Sequence, residues 1–247
     1  LMHFSFQLSA RERFFTVILH NLKEASQKGY AELLTAVTKA KPFISRSNFA
    51  TVDCENTVDE MRDLAQKKYK INCNIQIDWL QCQVIPSDLT NHLCIGINGD
   101  GDCLFNSVSN LLGYFQNELT KELRCRTVIQ FVDNFDRYAN ITSSFVHWEE
   151  FTEDLILKTC KPSTYTSMVH IQALADILGI PIDVRYPIVN FRIRSDFNMV
   201  LQPIERRNSN SIKIMWCIYR KLYDRKNVYW MPNHFVPLEH YRYLEFD

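Results

Sequence analysis

The chain is 247 residues long, with 46% hydrophobic and 23% charged residues, which favours a globular protein with a sizeable core. Its 28 basic and 28 acidic residues cancel, which argues against broad electrostatic binding to nucleic acid. The sequence has no apolar run of about 18 residues, so it predicts no membrane-spanning helix. We therefore expect binding to neither nucleic acid nor membranes. We also expect a monomer, built as one domain with an appendage or as two small domains.

The eight cysteines are scattered and form no recognisable metal-binding or disulfide pattern. They lie at positions 54, 73, 82, 94, 103, 125, 160 and 217. No two have C-x-x-C spacing, and His92 with Cys94 is the only close His/Cys pair, so we predict no metal site. Such scatter is typical of buried cysteines in a reducing compartment, so we expect an intracellular protein, cytoplasmic or nuclear.

The first part of the chain is predicted to be mostly helical. A capping-box pattern at 9–12 predicts the start of a first helix, and a second helical pattern is predicted to stop near Pro42. Another capping box occupies 57–60, and alternating residues over 72–79 predict a short strand. This segment carries no catalytic motif, so we interpret residues 1–90 as a helical extension or cap.

Residues 91–247 are predicted to form one α+β domain. Apolar residues at helical spacing predict helices over 103–115, 119–135, 145–157 and 171–178. Gly179 follows the last of these helices as a natural C-terminal stop. Alternating or continuous apolar runs predict strands over 182–186, 212–219, 228–230 and 235–238.

The stretch GDGDCLF, at 99–105, is the most unusual feature of this domain. A dinucleotide-binding loop would need a third glycine at Leu104, and a calcium loop would need a glutamate at Leu111. Two interpretations remain. Cys103 is a nucleophile whose thiolate is stabilised by a helix N-terminus, with loop N–H groups facing an oxyanion. Alternatively it is an ordinary buried cysteine in a tight strand-to-helix turn, which spacing alone favours.

A thiol nucleophile needs a general base, and His234 is the strongest candidate among seven histidines. It lies at the edge of a predicted strand far downstream of Cys103, in the order that papain-like proteases use. Taken alone, it is also compatible with a surface histidine in a turn. Of the others, His20, His147 and His170 lie in helical patterns, and His3 and His240 lie near the ends of the sequence.

Three blocks of the sequence resemble the ovarian-tumour (OTU) family of deubiquitinating cysteine proteases. GDGDCLF closely resembles the family's cysteine box. Residues 169–175, with 180–184 after them, look like its central helix and following strand, and 233–238 looks like its histidine box. The blocks occur in the family's order and cover roughly residues 92–240, whereas the first 90 residues match no family that we can name.

The resemblance implies an OTU-like, papain-like α+β fold, in which helices flank a small central sheet. It implies a cysteine-type deubiquitinase that cleaves ubiquitin, polyubiquitin or a ubiquitin-like modifier from lysine and requires no cofactor. Cys103 would then be the nucleophile, His234 the general base and Asp100 a member of the catalytic set that shapes the loop. The backbone N–H groups of Gly101, Asp102 and Cys103 would form the oxyanion hole.

The sequence departs from the family pattern beside the histidine. Many members carry Asp or Asn two residues later, but this chain has Val236, which cannot orient an imidazole. Asn233 is adjacent, although neighbours on a strand point to opposite faces. Tyr229 and Trp230 are candidates for lining the substrate groove, with core packing as the alternative. Two other functions stay open: an inactive ubiquitin-binding module, and an OTU-type protease of a viral or mobile-element polyprotein.

Overall fold

A computed structural model describes residues 2–46, 76–113, 119–187, 197–207, 210–217 and 233–240. The helices are α1 (Met2–Ser26), α2 (Tyr30–Arg46), α3 (Trp79–Cys82), α4 (Cys103–Leu111), α5 (Thr120–Asp133), α6 (Phe135–Ser143), α7 (Glu153–Thr159) and α8 (Met168–Leu178). The strands are β1 (His92–Cys94), β2 (Ile182–Arg185), β3 (Met199–Leu201), β4 (Ile212–Cys217) and β5 (His234–His240). Among the described residues, no helix combines the length and apolar character that a membrane span requires.

The five strands form one mixed sheet in the order β1-β5-β4-β2-β3. Only β2 and β4 run parallel, and the other neighbouring pairs are antiparallel. The register places His234 at the start of β5 directly opposite Cys217 at the end of β4. An isolated bridge between Ile77 and Ile95 adds a short extended segment beside β1. The described residues thus form the α+β arrangement that the sequence predicts.

The two faces of the sheet bury different clusters of side chains. One face packs against α4 and α8, and its core includes Leu104, Phe105, Val108, Leu174, Ile214 and Phe235. The other face of β1, β4 and β5 carries a smaller cluster of Leu89, Cys94, Met215, Cys217, Val236 and Leu238. Because side chains alternate along β5, Phe235 faces α4, and the residues before and after it face the opposite side of the sheet.

The N-terminal helices α1 and α2 pack against α5 and α7. Their apolar side chains share one buried cluster with helices of the main domain, including Phe15, Leu22, Leu33, Val128, Phe131 and Tyr138. Arg11 adds two 2.7 Å hydrogen bonds to the buried carboxylate of Glu122 on α5. The boundary between 1–90 and 91–247 stays a prediction, but these helices contribute to a common core.

Several predicted helix boundaries are wrong. Helix α1 begins at Met2, so residues 9–12 lie inside it and do not cap its N-terminus. Helix α2 continues through Pro42 to Arg46, although proline removes a backbone hydrogen bond. Burial of Ile44 in the helical core offsets part of that cost. The capping box predicted at 57–60 and the strand predicted at 228–230 lie outside the described residues.

Other elements are shifted or were not predicted. The helix predicted over 145–157 is the shorter α7, because the Thr152 hydroxyl accepts from the Leu155 N–H at 3.3 Å and sets a later start. Within the predicted strand 72–79, Ile77 forms only the bridge, and Trp79 already begins α3. Helix α6 and strands β1 and β3 have no counterpart among the predicted elements. The C-terminal stop of α8 at Gly179 is confirmed, with a left-handed φ of 66°.

Candidate active site

A tight loop delivers Cys103 to the first position of α4. Gly101 has a φ of +87°, and a Cβ at this position would stand 2.2 Å from the carbonyl oxygen of Ser163. Only glycine tolerates both the backbone conformation and this close approach. The Asp102 carbonyl accepts the Asn106 N–H at 2.9 Å, so the first turn of α4 starts directly at the cysteine. The fold requires glycine at position 101 because the loop packs closely against the backbone of Ser163.

The Cys103 sulfur lies where α4 meets the start of β5. The backbone N–H groups of Phe235 and Leu104 hydrogen-bond to it. The side chain is only 2% exposed, and burial raises the pKa of the Cys103 thiol to about 11, outweighing these two N–H groups. The charges of Asp100 and Asp102 raise the pKa further, so the resting group is a protonated thiol at neutral pH.

His234 precedes Phe235, the residue whose N–H reaches the Cys103 sulfur. The structure therefore brings Cys103 and His234 to the same end of the sheet, although 130 residues separate them in the chain. The imidazole is 3% exposed, and burial lowers its pKa to about 4. A hydrogen bond with the Ile97 backbone and the charges of Asp78 and Asp100 oppose this pKa shift. The resting imidazole is therefore neutral at pH 7.

The two aspartates of the loop have different contacts. An Asp100 carboxylate oxygen accepts the Asp102 N–H at 3.0 Å, which closes the turn ahead of Cys103. Asp102 pairs through one carboxylate oxygen with Arg124, and its other oxygen accepts the Ser163 N–H at 3.2 Å. Because the Asp102 N–H is held by Asp100, an oxyanion role for it requires that this hydrogen bond be exchanged for one to substrate.

Comparison with models of protein families identifies the family of this chain. A family model described as the vertnin OTU domain matches residues 94–147 and 141–217. This chain belongs to that OTU family. The match confirms the OTU resemblance and the fold class predicted from the three sequence blocks.

The vertnins of two mammals are similar to this chain at low sequence identity. Vertnin of Mus musculus is 25% identical over 236 residues, which cover 85% of this chain and 30% of vertnin. Vertnin of Homo sapiens is 25% identical over 238 residues, covering 85% of this chain and 32% of its own length. The chain thus spans less than two thirds of the curated relatives that it matches.

Two solved structures are also similar to this OTU domain. The OTU domain of OTUD1 is 18% identical with a TM-score of 0.45, covering 65% of this chain and 93% of that one. The viral OTU domain protease from Dera Ghazi Khan virus is 16% identical with a TM-score of 0.42, covering 61% of this chain and 83% of that one.

Arg124 on α5 is a site residue that the sequence analysis missed. Its guanidinium is 1% exposed and pairs with Asp102 from both Nε and Nη2. It also donates to the Thr159 carbonyl at 3.1 Å, the Thr164 hydroxyl at 3.0 Å and the Gly101 carbonyl at 3.4 Å. The available signal was the position of this charged residue inside the apolar pattern of α5, which indicates burial. A buried guanidinium needs several acceptors.

The position that many OTU proteins use to orient the histidine is apolar in this OTU domain. Val236 is fully buried in the cluster with Met215 and Cys217. Asn233 is exposed, and its N–H donates to the Cys217 carbonyl at 3.1 Å. The predicted groove residues Tyr229 and Trp230 lie outside the described residues.

Asp78 is a second residue that the sequence analysis did not single out. Of the two carboxylates whose charges raise the pKa of His234, it has the larger effect, ahead of Asp100. It caps α3 by accepting the Gln81 N–H at 3.1 Å, and its own N–H donates to the Cys94 carbonyl at 2.9 Å. Among the described residues, no group of three or more His, Cys, Asp or Glu side chains is arranged to hold a metal ion.

Proposed function

We propose that this OTU domain is a thiol-dependent deubiquitinase. It hydrolyses isopeptide bonds between a lysine side chain and ubiquitin, or a ubiquitin-like modifier. The observation that carries the proposal is the contact of the Cys103 sulfur, at the start of α4, with the N–H of the residue next to His234. A thiol at a helix N-terminus, with a histidine on the strand end that adjoins it, suits nucleophilic acyl transfer.

The resting charges define how the first step proceeds. With a raised pKa on Cys103 and a lowered pKa on His234, the pair rests as thiol and neutral imidazole, not as an ion pair. His234 therefore takes the thiol proton as the sulfur attacks the isopeptide carbonyl. The positive end of α4 and the N–H groups of Phe235 and Leu104 stabilise the developing negative charge on sulfur.

The remaining steps return the enzyme to its resting state. Attack forms a carbon–sulfur bond and places negative charge on the carbonyl oxygen, which backbone N–H groups of the Gly101–Cys103 loop stabilise. His234 then gives its proton to the lysine nitrogen as the carbon–nitrogen bond breaks. Water, deprotonated by the same imidazole, hydrolyses the thioester and releases the modifier's carboxylate and the thiol.

An activity-based probe tests this proposal. Ubiquitin with an electrophile at its C-terminus should form a covalent adduct with the intact chain and none with Cys103→Ala. Cys125→Ala is the matched control, because Cys125 is also buried but belongs to the helical cluster away from the sheet. It should be labelled like the parent. Labelling of Cys103→Ala at the parental rate would overturn the assignment of the nucleophile.

A second candidate function is a ubiquitin-binding module that does not hydrolyse. The features that favour it are the apolar Val236 and the nearly complete burial of both Cys103 and His234. Saturable binding of unmodified ubiquitin, with no probe adduct and no cleavage of any linkage-defined diubiquitin, would select this alternative. Adduct formation that depends on Cys103 would reject it.

A further inference from the structure

Cys82 and Cys94 lie in contact on the sheet side opposite α4. Cys82 is the last residue of α3, and Cys94 is the last residue of β1. The Cys94 N–H donates to the Cys82 sulfur at 3.2 Å, and the two thiols share a hydrogen bond. Eleven residues separate them in the chain, and the contact depends on the turn between α3 and β1.

The two cysteines of this contact are chemically unequal. Cys82 is partly exposed, whereas Cys94 is fully buried. Hydrogen bonds from the Cys94 thiol and N–H lower the pKa of Cys82 to about 7, against the opposing effects of burial and the charge of Asp78. The hydrogen bond to Cys82 and burial raise the pKa of Cys94. One sulfur is therefore a reachable thiolate, and the other is a protected thiol beside it.

We propose that Cys82 and Cys94 form a peroxide-sensitive dithiol that closes into a disulfide between α3 and β1. The inference stands on the contact between the two sulfurs and on their unequal exposure, and it does not depend on the proposed hydrolase activity. In this scheme Cys82 is the attacking residue and Cys94 resolves the intermediate.

The oxidation proceeds in two balanced steps with hydrogen peroxide as the oxidant. The Cys82 thiolate attacks one peroxide oxygen, so that a sulfur–oxygen bond forms, the oxygen–oxygen bond breaks and hydroxide leaves. The Cys94 sulfur then attacks the Cys82 sulfenic acid. A sulfur–sulfur bond forms, and the oxygen leaves with the Cys94 proton as water.

The position of the dithiol suggests what the disulfide would constrain. Cys94 pairs with Leu238 on β5, the strand that begins at His234, and packs in one cluster with Cys217 and Val236. A Cys82–Cys94 bond would fix α3, together with its capping residue Asp78, to the strand beside β5. Oxidation would therefore restrain β1, at one edge of the sheet, without using the Cys103 thiol.

Peptide mapping tests the proposal directly. Cleavage before aspartate places Cys82 in peptide 78–87 and Cys94 in peptide 88–99. Cys103 falls in a separate peptide, which begins at Asp102. The chain is treated with hydrogen peroxide, then alkylated in denaturant and digested. We expect 78–87 joined to 88–99, about 2 Da lighter than the two thiol peptides together, and separated again by dithiothreitol.

Two variants complete the experiment. In Cys94→Ser, whose hydroxyl can still donate to the Cys82 sulfur, we expect Cys82 to stop at the sulfenic acid, which dimedone captures, and in Cys125→Ala we expect the parental cross-link. The proposal is overturned if the parent keeps both thiols under peroxide conditions that yield the dimedone adduct in Cys94→Ser. It is equally overturned if Cys82 resists peroxide in both proteins, or if it bonds to a cysteine other than Cys94.

Discussion

The buried guanidinium of Arg124 pairs with the carboxylate of Asp102, the residue that immediately precedes Cys103. This contact ties α5 to the loop that carries the candidate nucleophile. The same guanidinium contacts Thr159, the last residue of α7, and Thr164, so one side chain joins this loop to the end of α7 and the chain after it. It also lies over the Phe105 ring, 4.6 Å from its centroid, which positions the cation above the first turn of α4.

Arg124→Met should destabilise the protein and slow the reaction of Cys103 with a ubiquitin probe. Removing the cation leaves the Asp102 carboxylate unpaired beside the thiol, and breaking a buried pair costs about 3–5 kcal/mol. Denaturant unfolding and probe labelling measure the two effects. Lys158→Met, which removes the exposed pair with Asp154, is the control and should change neither. Parental stability in Arg124→Met would show that the pair does not hold the loop.

Gly101→Ala should disrupt the loop that carries Cys103. The alanine Cβ would meet the Ser163 carbonyl at 2.2 Å in a backbone conformation that favours glycine. The conformation alone should cost about 1–3 kcal/mol, and the collision should add to this loss and weaken probe labelling. Gly29→Ala is the matched control, because Gly29 also has a positive φ but its Cβ would meet only the flexible Glu32 side chain, at 3.2 Å. Equal losses in the two variants would mean that φ, and not the collision, sets the cost.

Asp78→Asn tests whether this carboxylate supports His234. Asparagine can still cap α3, so the variant removes the charge while it keeps the hydrogen bond to Gln81. Without that charge the pKa of His234 falls further and the imidazole becomes a weaker base, so we expect diubiquitin cleavage to slow several-fold with unchanged stability. Asp88→Asn, which removes a carboxylate paired with Arg185, is the control. Identical rates in all three proteins would remove Asp78 from the site.

The stability of the fold should decrease as the pH falls from about 6.5 to 4. Burial lowers the pKa of His234 to about 4 and that of His170 to about 3, below the value of 6.5 that each has when exposed. The unfolded chain therefore binds protons in this range while the folded chain does not. The protonation linked to each histidine should lower the free energy of unfolding by on the order of 3 kcal/mol at pH 4.

Denaturant unfolding at several pH values measures this loss, and His170→Gln should reduce its slope. Within the folded chain, His170 Nε2 is hydrogen-bonded to the Thr159 hydroxyl at 2.9 Å, and its Nδ1 accepts the Ser167 N–H at 3.1 Å. A free energy of unfolding that stays constant between pH 6.5 and 4 would show that these imidazoles are not held neutral by burial.

The loop that carries Cys103 could be predicted from the sequence because its signals are local. Gly101 and Cys103 are adjacent to the start of a helical pattern, and the structure places the cysteine at the first residue of α4. Helix α8 and its stop at Gly179 are likewise set by apolar spacing and one left-handed residue. Each of these features needs only neighbouring residues to define it.

Features that depend on distant partners could not be predicted in the same way. The apolar pattern of α5 signals that Arg124 is buried, but its acceptors Asp102 and Thr164 are defined only when the fold brings them around it. The three-residue strand β1 is too short to show alternation, and it is defined by pairing with β5. The contact of Cys82 with Cys94 likewise requires the turn between α3 and β1.

The proposed hydrolysis is tested most directly by cleavage of a panel of linkage-defined diubiquitins. The proteins compared are the parent, Cys103→Ala, His234→Ala and Asn233→Ala. The parent should cleave at least one linkage, Cys103→Ala should cleave none, and His234→Ala should lose most turnover while it keeps the parental circular-dichroism spectrum. Asn233→Ala, which alters the exposed neighbour of the base, should stay close to the parent. Failure of the parent to cleave any linkage, or undiminished cleavage by Cys103→Ala, would contradict the proposal that this thiol and this imidazole act together.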